Sequence, residues 1–193
     1  VGMDTQLWNY TGDAPLGGYE WTQDAIGKLG GEAPAIFSTA DGTDFEAIAD
    51  TNPDLILAAQ SGLDAESYAT LSEIAPVVAY PKVAWFTPWR DTITLNAKAL
   101  GLSAEGDKLV SDLEADIADA TAGADFSGKT AAFFSISAAD LSTVNMYTGG
   151  DARTALLGDL GFDLPQVAID GAAGGSFYEE FSAENADKLA DVD

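Results

Sequence analysis

Apolar residues follow two alternating patterns along the chain. Residues 55–59 and 77–80 are short, almost uniformly apolar runs, which are typical of buried parallel strands. Other stretches carry apolar residues at helical spacing, as in the stripe over residues 21–29 that stops at Gly30. This alternation of helix with buried strand predicts an α/β fold in which small parallel sheets are flanked by helices.

One predicted helix is longer than the rest and divides the chain. Ser103 is its predicted cap, and its apolar stripe repeats at the helical period. About twenty residues at ~1.5 Å per residue span roughly 30 Å, the width of a small domain. The alternation of strand and helix starts again at residues 130–136. We therefore predict two α/β lobes, residues 1–102 and 123–193, joined by one long helix over residues 103–122.

The composition restricts the partners that the chain can bind. Its 193 residues include 32 acidic and 8 basic ones, which gives a formal net charge of -24 at pH 7. Such a charge repels nucleic acid phosphates and anionic lipid headgroups, so we expect neither as a partner. No run approaches the ~18 consecutive apolar residues that a spanning helix needs, so we expect no transmembrane segment in this sequence.

The sequence contains no cysteine and no histidine, which removes most catalytic chemistry. Thiol catalysis, Ser-His-Asp triads, and zinc or haem sites with histidine ligands all need these residues. Carboxylates are so abundant that a glycosidase-type pair can be imagined almost anywhere, so such a pair carries no weight. We therefore expect a protein that is not an enzyme and has no metal site of its own.

Short motifs follow one another in an order that is typical of one protein family. They are residues 45–48 (FEAI), 52–57 (NPDLIL), 71–77 (LSEIAPV), the helix over 89–101, Gly161-Phe162, and residues 177–184 (FYEEFSAE). Their order resembles that of the siderophore and cobalamin class of periplasmic binding proteins, the substrate-binding proteins of ABC importers. The resemblance covers almost the whole chain.

The resemblance implies both a fold and a function. Proteins of this class hold a ligand in a shallow cleft between two α/β lobes that one rigid helix joins. The implied protein is extracytoplasmic, either periplasmic or lipid-anchored at the outer face of the cell membrane. It binds a ferric siderophore, passes it to an ABC permease, and has no covalently bound cofactor. Compared with the class, we expect the first lobe to lack its first strand and helix and the second lobe to be truncated.

Arg90 breaks a local rule of helix electrostatics. It lies in the first turn of its predicted helix, where a cation opposes the macrodipole and is disfavoured by ~0.3–1 kcal/mol. With Trp85, Phe86 and Trp89 it would offer flat apolar faces and a planar donor fork, which suit a ligand with an apolar rim and anionic oxygens. The resemblance implies that Arg90 contacts the siderophore. Alternatively, the tryptophans belong to the core and Arg90 pairs with Asp91 or another carboxylate.

Further candidates lie elsewhere in the chain. Tyr147 and Arg153 flank a loop of the second lobe that we expect to face the cleft, although among so many acids Arg153 also fits a surface ion pair. Trp8 is a candidate for the cleft rim. Glu46 and Glu184 occupy matching first-turn positions in the two lobes, and the resemblance implies that they dock onto the permease. Alternatively, each only stabilises its helix dipole.

Other functions stay open on the sequence alone. The same fold could hold haem or cobalamin in place of a ferric siderophore. A carboxylate-based hydrolase on an α/β scaffold, or a structural or adhesive surface module without a small ligand, would belong to a different class of protein. Whatever the ligand, lobe movement should be small if the long helix is a rigid strut.

Overall fold

The computed structural model of the chain describes residues 2–4, 20–30, 34–37, 42–137 and 139–193. The chain divides into two compact units. The first comprises Val1–Ile56 and Leu63–Val77, and the second comprises Leu57–Gly62 and Val78–Asp193. The two-lobe division predicted from the sequence stays a prediction.

The first unit combines a parallel strand pair with helices. Its elements are β1 (Gly2–Asp4), α1 (Glu20–Leu29), β2 (Ala35–Phe37), α2 (Phe45–Asp50) and α3 (Ala65–Ile74). β1 and β2 pair in parallel. Asp44 and Asp64 cap α2 and α3, since each carboxylate accepts a hydrogen bond from a backbone N–H one turn later, at 2.9 and 2.7 Å. Ile48 on α2 and Leu71 on α3 are buried.

Two further strands, β3 (Ile56–Ala58) and β4 (Val77–Ala79), pair with each other. The amide of Ile56 donates to the carbonyl oxygen of Pro76 at 2.9 Å. Both strands lie within runs that the apolar pattern predicts as strands. They are less buried than the pattern indicates, because Leu57 is 44% exposed.

In the second unit α4 (Trp89–Ala99) packs against α5 (Ser103–Ala120), which is the predicted long helix. Ser103 is the first helical residue of α5 and makes no capping hydrogen bond, so the predicted cap is wrong. Gly106 is buried where the two helices meet, and a Cβ at that position would lie 2.4 Å from the Cβ of Ala97. The close approach of the two helices therefore requires glycine, which has no side chain, at position 106.

The second unit also contains a three-stranded sheet in the order β5-β6-β7. The strands are β5 (Phe134–Ser137), β6 (Asp140–Tyr147) and β7 (Tyr178–Ser182), and both pairs are antiparallel. The sequence pattern predicts parallel sheets, and for this antiparallel sheet the prediction is wrong. Only two residues separate β5 from β6, which is too short for the crossover that a parallel pair needs.

Helices cover the sheet of the second unit. They are α7 (Gln166–Ala173) and a 3₁₀ helix over Ala183–Leu189, whereas α6 (Ala152–Asp159) lies between β6 and α7 in the chain. The core between sheet and helices consists of Val144, Met146, Ala168 and Phe181. The α/β class predicted from the sequence is thus confirmed, with sheets of both kinds. Within the residues that the structure describes, no helix has the length and apolar character needed to cross a membrane.

Candidate ligand-binding site

Trp85 has a backbone conformation that is rare for a large side chain. Its φ is 60°, in the left-handed region. Two hydrogen bonds hold it there, because its amide donates to the carbonyl of Ser61 at 2.9 Å and its carbonyl accepts from the side chain of Gln60 at 3.1 Å. The indole packs on Gly62, where a Cβ would lie 2.3 Å from its nitrogen. Such strain, of order 1–3 kcal/mol, tends to occur at ligand sites. Trp85 as a whole is 39% exposed.

Phe86 packs directly on the backbone of Gly150. A Cβ at position 150 would lie 1.4 Å from two carbons of the phenyl ring, so only glycine fits under it. Gly150 belongs to the loop between β6 and α6. The contact therefore brings residues 85–90, at the start of α4, against the loop that joins Tyr147 to Arg153.

Trp89 and Arg90 are both held by Asp159, the last residue of α6. The indole nitrogen of Trp89 donates to Oδ2 of Asp159 at 2.8 Å, and Nη1 of Arg90 lies 3.0 Å from both carboxylate oxygens. Nε of Arg90 donates to Oε1 of Glu114 on α5 at 2.6 Å. The guanidinium carbon also lies 4.2 Å from the centroid of the Trp89 ring. Arg90 thus joins α4 to both α5 and α6.

The charges of this group are mutually stabilised. Hydrogen bonds to Asp159 and Glu114 raise the pKa of Arg90 further above its already high ordinary value. Burial by itself would raise the pKa of Asp159, but the hydrogen bonds from Arg90 and Trp89 and the charge of Arg90 together hold it below its ordinary value. Both groups are therefore charged at neutral pH.

Arg153 stacks on Tyr147, and Asp151 fixes the orientation of its guanidinium group. Its guanidinium carbon lies 3.5 Å from the centroid of the tyrosine ring. Asp151, which is 2% exposed and caps α6, accepts from Nε of Arg153 at 2.7 Å and from Nη2 at 2.6 Å. The hydrogen bond that Arg153 donates to Asp151 is the main reason that the pKa of Arg153 is raised. The arginine side chain is still 50% exposed, so its remaining N–H groups can reach a ligand.

Residues 85–90 and the Tyr147–Arg153 pair belong to one region of the second unit. Residues 85–90 contact Gly150 before α6 and Asp159 at its end, and the Tyr147–Arg153 pair flanks the same loop. The region thus combines aromatic faces with two guanidinium groups. Such a set suits a ligand with apolar surface and several oxygen acceptors. The structure describes all of these residues, and their contact with a ligand stays a prediction.

The remaining predicted site residues are placed as follows. Trp8 lies outside the described residues. Glu46 is exposed in the first turn of α2, and Glu184 is exposed in the first turn of the 3₁₀ helix. Their docking role also stays a prediction. For Arg90 and Arg153 the ion pairs that the alternative interpretation allows are present, with Glu114 and Asp159 for the first and Asp151 for the second.

Three acidic residues of the region were not found by sequence reasoning. Asp151 could have been found, because it stands immediately before α6 and aspartate is a favoured N-cap residue. Asp159 and Glu114 gave no local indication, because each is one of many acids on a helix surface. Their partner Arg90 lies 69 and 24 residues away in the sequence.

A separate open depression of about 510 Å³ lies beside α7. It is lined by Gln166, Val167, Asp170, Gly171, Glu179 and Lys188. None of the predicted ligand contacts borders it, and its lining is shallow and mixed in charge. Among the described residues, no group of three or more His, Cys, Asp or Glu side chains is arranged to hold a metal ion.

Comparison with known protein families gives a match over almost the whole chain. Residues 9–193 match the family described as periplasmic binding protein. The chain belongs to this family. The resemblance inferred from the order of the sequence motifs is thereby confirmed. A search of curated protein sequences found no match.

Solved structures of the family are similar over most of the chain. PiaA of Streptococcus pneumoniae in complex with ferrichrome is 40% identical, with a TM-score of 0.86 over 98% of this chain and 64% of PiaA. A second structure of PiaA, described as an iron uptake ABC transporter substrate-binding protein, is 42% identical, with a TM-score of 0.80 over 91% and 61% of the two chains. A periplasmic solute binding protein from Mycobacterium smegmatis is 32% identical, with a TM-score of 0.68 over 84% and 55%. This chain therefore spans less than two thirds of the length of these relatives.

Proposed function

We propose that this chain is part of an extracytoplasmic solute-binding protein that captures a ferric siderophore and delivers it to an ABC permease. The observation that carries the proposal is the likeness to PiaA, which is 40% identical over 98% of this chain and was solved in complex with ferrichrome. The family of solute-binding proteins also supports a role in binding rather than catalysis.

The chemistry of the second unit fits such a ligand. Ferric siderophores present several oxygen acceptors around the metal and apolar surface elsewhere. Arg153 offers charge-assisted hydrogen bonds from a guanidinium that Asp151 has already oriented. Tyr147 adds a phenolic hydroxyl and a ring face. Because the guanidinium is fixed before binding, less conformational entropy is lost when the ligand arrives.

Aromatic residues would provide the apolar part of the surface. We propose Trp85, Phe86 and Trp89 for this role, with Trp8 at the rim. Trp85 is the strongest of them, because its left-handed backbone keeps a partly exposed indole at the surface. Arg90 binds carboxylates through Nε and Nη1, so we propose that it contributes positive charge near the ligand and donates hydrogen bonds to it from Nη2.

Binding can be tested by quenching of tryptophan fluorescence in the full-length protein. The titration would use a panel of ferric siderophores that includes ferrichrome, together with haem and cobalamin. We expect saturable quenching by a ferric siderophore, and a loss of affinity of about tenfold or more in Arg153→Ala.

Lys108→Ala provides a matched control for the loss of one positive charge. Lys108 is exposed and pairs only with Asp112, one turn away on α5, among the described residues. The Lys108→Ala variant should bind the ferric siderophore with the affinity of the wild type. Absence of quenching by every ferric siderophore would overturn the proposed function, and quenching by haem or cobalamin alone would assign the fold a different ligand.

A further inference from the structure

Asp159 occupies a position that helix stability alone does not favour. It is the last residue of α6, where the negative end of the helix dipole disfavours a carboxylate. Its side chain is only 19% exposed. A carboxylate in such a place needs charged or hydrogen-bonding partners to offset its lost hydration.

Arg90 has the opposite problem. It lies in the first turn of α4, where the positive end of the helix dipole disfavours a cation. The two residues compensate for each other, because Nη1 of Arg90 contacts both oxygens of Asp159 at 3.0 Å. Each charge therefore offsets the unfavourable position of the other at its helix end, although the two residues are 69 positions apart.

Asp159 also holds an aromatic side chain directly. Its Oδ2 accepts the indole N–H of Trp89 at 2.8 Å, so one carboxylate fixes both neighbouring residues of α4. Glu114 binds only the other side of Arg90 and makes no contact with Trp89 that could replace this hydrogen bond. Loss of the Asp159 charge would leave the indole N–H without its acceptor.

A second contact between residues 85–90 and α6 lies at the opposite, N-terminal end of that helix. Phe86 packs on Gly150, directly before Asp151, which caps α6 and orients Arg153. The eight residues of α6 span about 12 Å at ~1.5 Å per residue. Contacts at both ends of this helix fix residues 85–90 along its length, whereas one contact would leave them free to pivot.

We propose that Asp159 is a positioning residue that holds Trp89 and Arg90 against the end of α6 and so sets the distance between residues 85–90 and the Tyr147–Arg153 pair. This inference rests on the proposed function, since the surface that it positions is the proposed siderophore contact. Asp159 itself need not touch the ligand. Its effect is to present the aromatic and cationic contacts in a fixed arrangement before the ligand binds.

The test uses Asp159→Asn and Asp159→Glu in the full-length protein. Asp159→Asn keeps the size of the side chain and removes its charge, while Asp159→Glu keeps the charge on a longer side chain. Asp163→Asn is the matched control, because Asp163 is a nearby exposed carboxylate and its side chain has no partner among the described residues. Ferrichrome affinity is measured by calorimetry, and the indole N–H resonance of Trp89 is measured by NMR without ligand.

We expect Asp159→Asn to shift the Trp89 indole resonance and to lower ferrichrome affinity about fivefold or more, while the far-ultraviolet circular dichroism stays unchanged. Asp159→Glu should recover part of the affinity, and Asp163→Asn should change neither measurement. An unmoved indole resonance, or a moved resonance with unchanged affinity, would overturn the inference. If the wild type binds no ferric siderophore, the proposed function fails. An unmoved indole resonance in Asp159→Asn would separately refute the hydrogen bond between Trp89 and Asp159.

Discussion

At the scale of single residues, the charge of Arg90 is balanced by two carboxylates, those of Glu114 and Asp159. Arg90 stands out because it opposes its helix dipole, and the structure gives the reason in two carboxylates from other helices. No sequence pattern relates Asp159 to Arg90, because the contact depends on how α4 and α6 pack. The left-handed backbone of Trp85 is equally invisible in the sequence, since it depends on contacts with residues 60–62.

The charge on Asp159 should make stability depend on pH in a defined way. We expect Asp159→Asn to lower the free energy of unfolding by about 1–2 kcal/mol at neutral pH, because Arg90 and Trp89 lose a charged acceptor. The pKa of Asp159 is lower in the folded protein than the ordinary value of about 3.9. Its contribution is therefore complete above about pH 4 and is lost as the pH falls through the folded-state pKa.

Urea denaturation of both proteins over a series of pH values between about 3 and 7 checks this expectation. The difference between wild type and Asp159→Asn should shrink towards zero at the acid end. Asp64, Asp125, Asp140 and Asp193, whose hydrogen bonds also lower their pKa, are common to both proteins and cancel in the difference. A difference that stays constant down to the lowest pH would contradict the assigned pKa direction.

At the scale of elements, the strong periodic patterns predicted several of the helices and strands that form. α5 lies within the predicted long helix, and β3 and β4 lie within predicted strands. The strand expected over residues 130–136 begins only at Phe134, because Thr130 forms an isolated bridge to Asp163 and does not join the sheet. α7 was missed, since Gly171 weakens its helical pattern. In the structure that glycine allows Thr148 and Glu179 to pack close.

The contact between α4 and α5 gives a prediction at this scale. In Gly106→Ala, the new Cβ would lie 2.4 Å from Ala97, so one helix must move. We expect a net loss of about 1–3 kcal/mol in the free energy of unfolding, even though alanine favours a helix. Chemical denaturation measures the loss.

Gly158→Ala is the control for the helix preference of alanine. Gly158 lies in α6, and no atom lies within 4 Å of the position that an added Cβ would take, so the change should stabilise the protein by about 0.5–1 kcal/mol. Equal effects of the two substitutions would show that the helices do not meet at Gly106.

At the scale of the whole molecule, the order of the motifs identified the family more securely than any single residue did. The family match covers residues 9–193, which agrees with the extent of the resemblance. The ligand contacts could not be predicted with the same security. They depend on side chains from separate parts of the chain, and the sequence does not encode their distances in any local pattern.

Delivery to a permease would test the docking proposal for Glu46 and Glu184. In cells that carry the full-length protein and its transporter, we expect Glu46→Ala with Glu184→Ala to reduce siderophore uptake by about tenfold, because charged rim residues govern transient encounters. Ferrichrome affinity in solution should not change. Glu66→Ala, an exposed first-turn glutamate of α3, should leave uptake intact. Normal uptake by the double variant would remove both residues from the docking surface.

The contact between Phe86 and Gly150 has a consequence for related sequences. Because the phenyl ring fills the space that any β-carbon at position 150 would need, the two positions cannot vary independently. A homologue with alanine or a larger residue at the position of Gly150 should carry a smaller side chain at the position of Phe86. Covariation of this pair among homologues would therefore record, in sequence alone, how closely the start of α4 approaches the loop before α6.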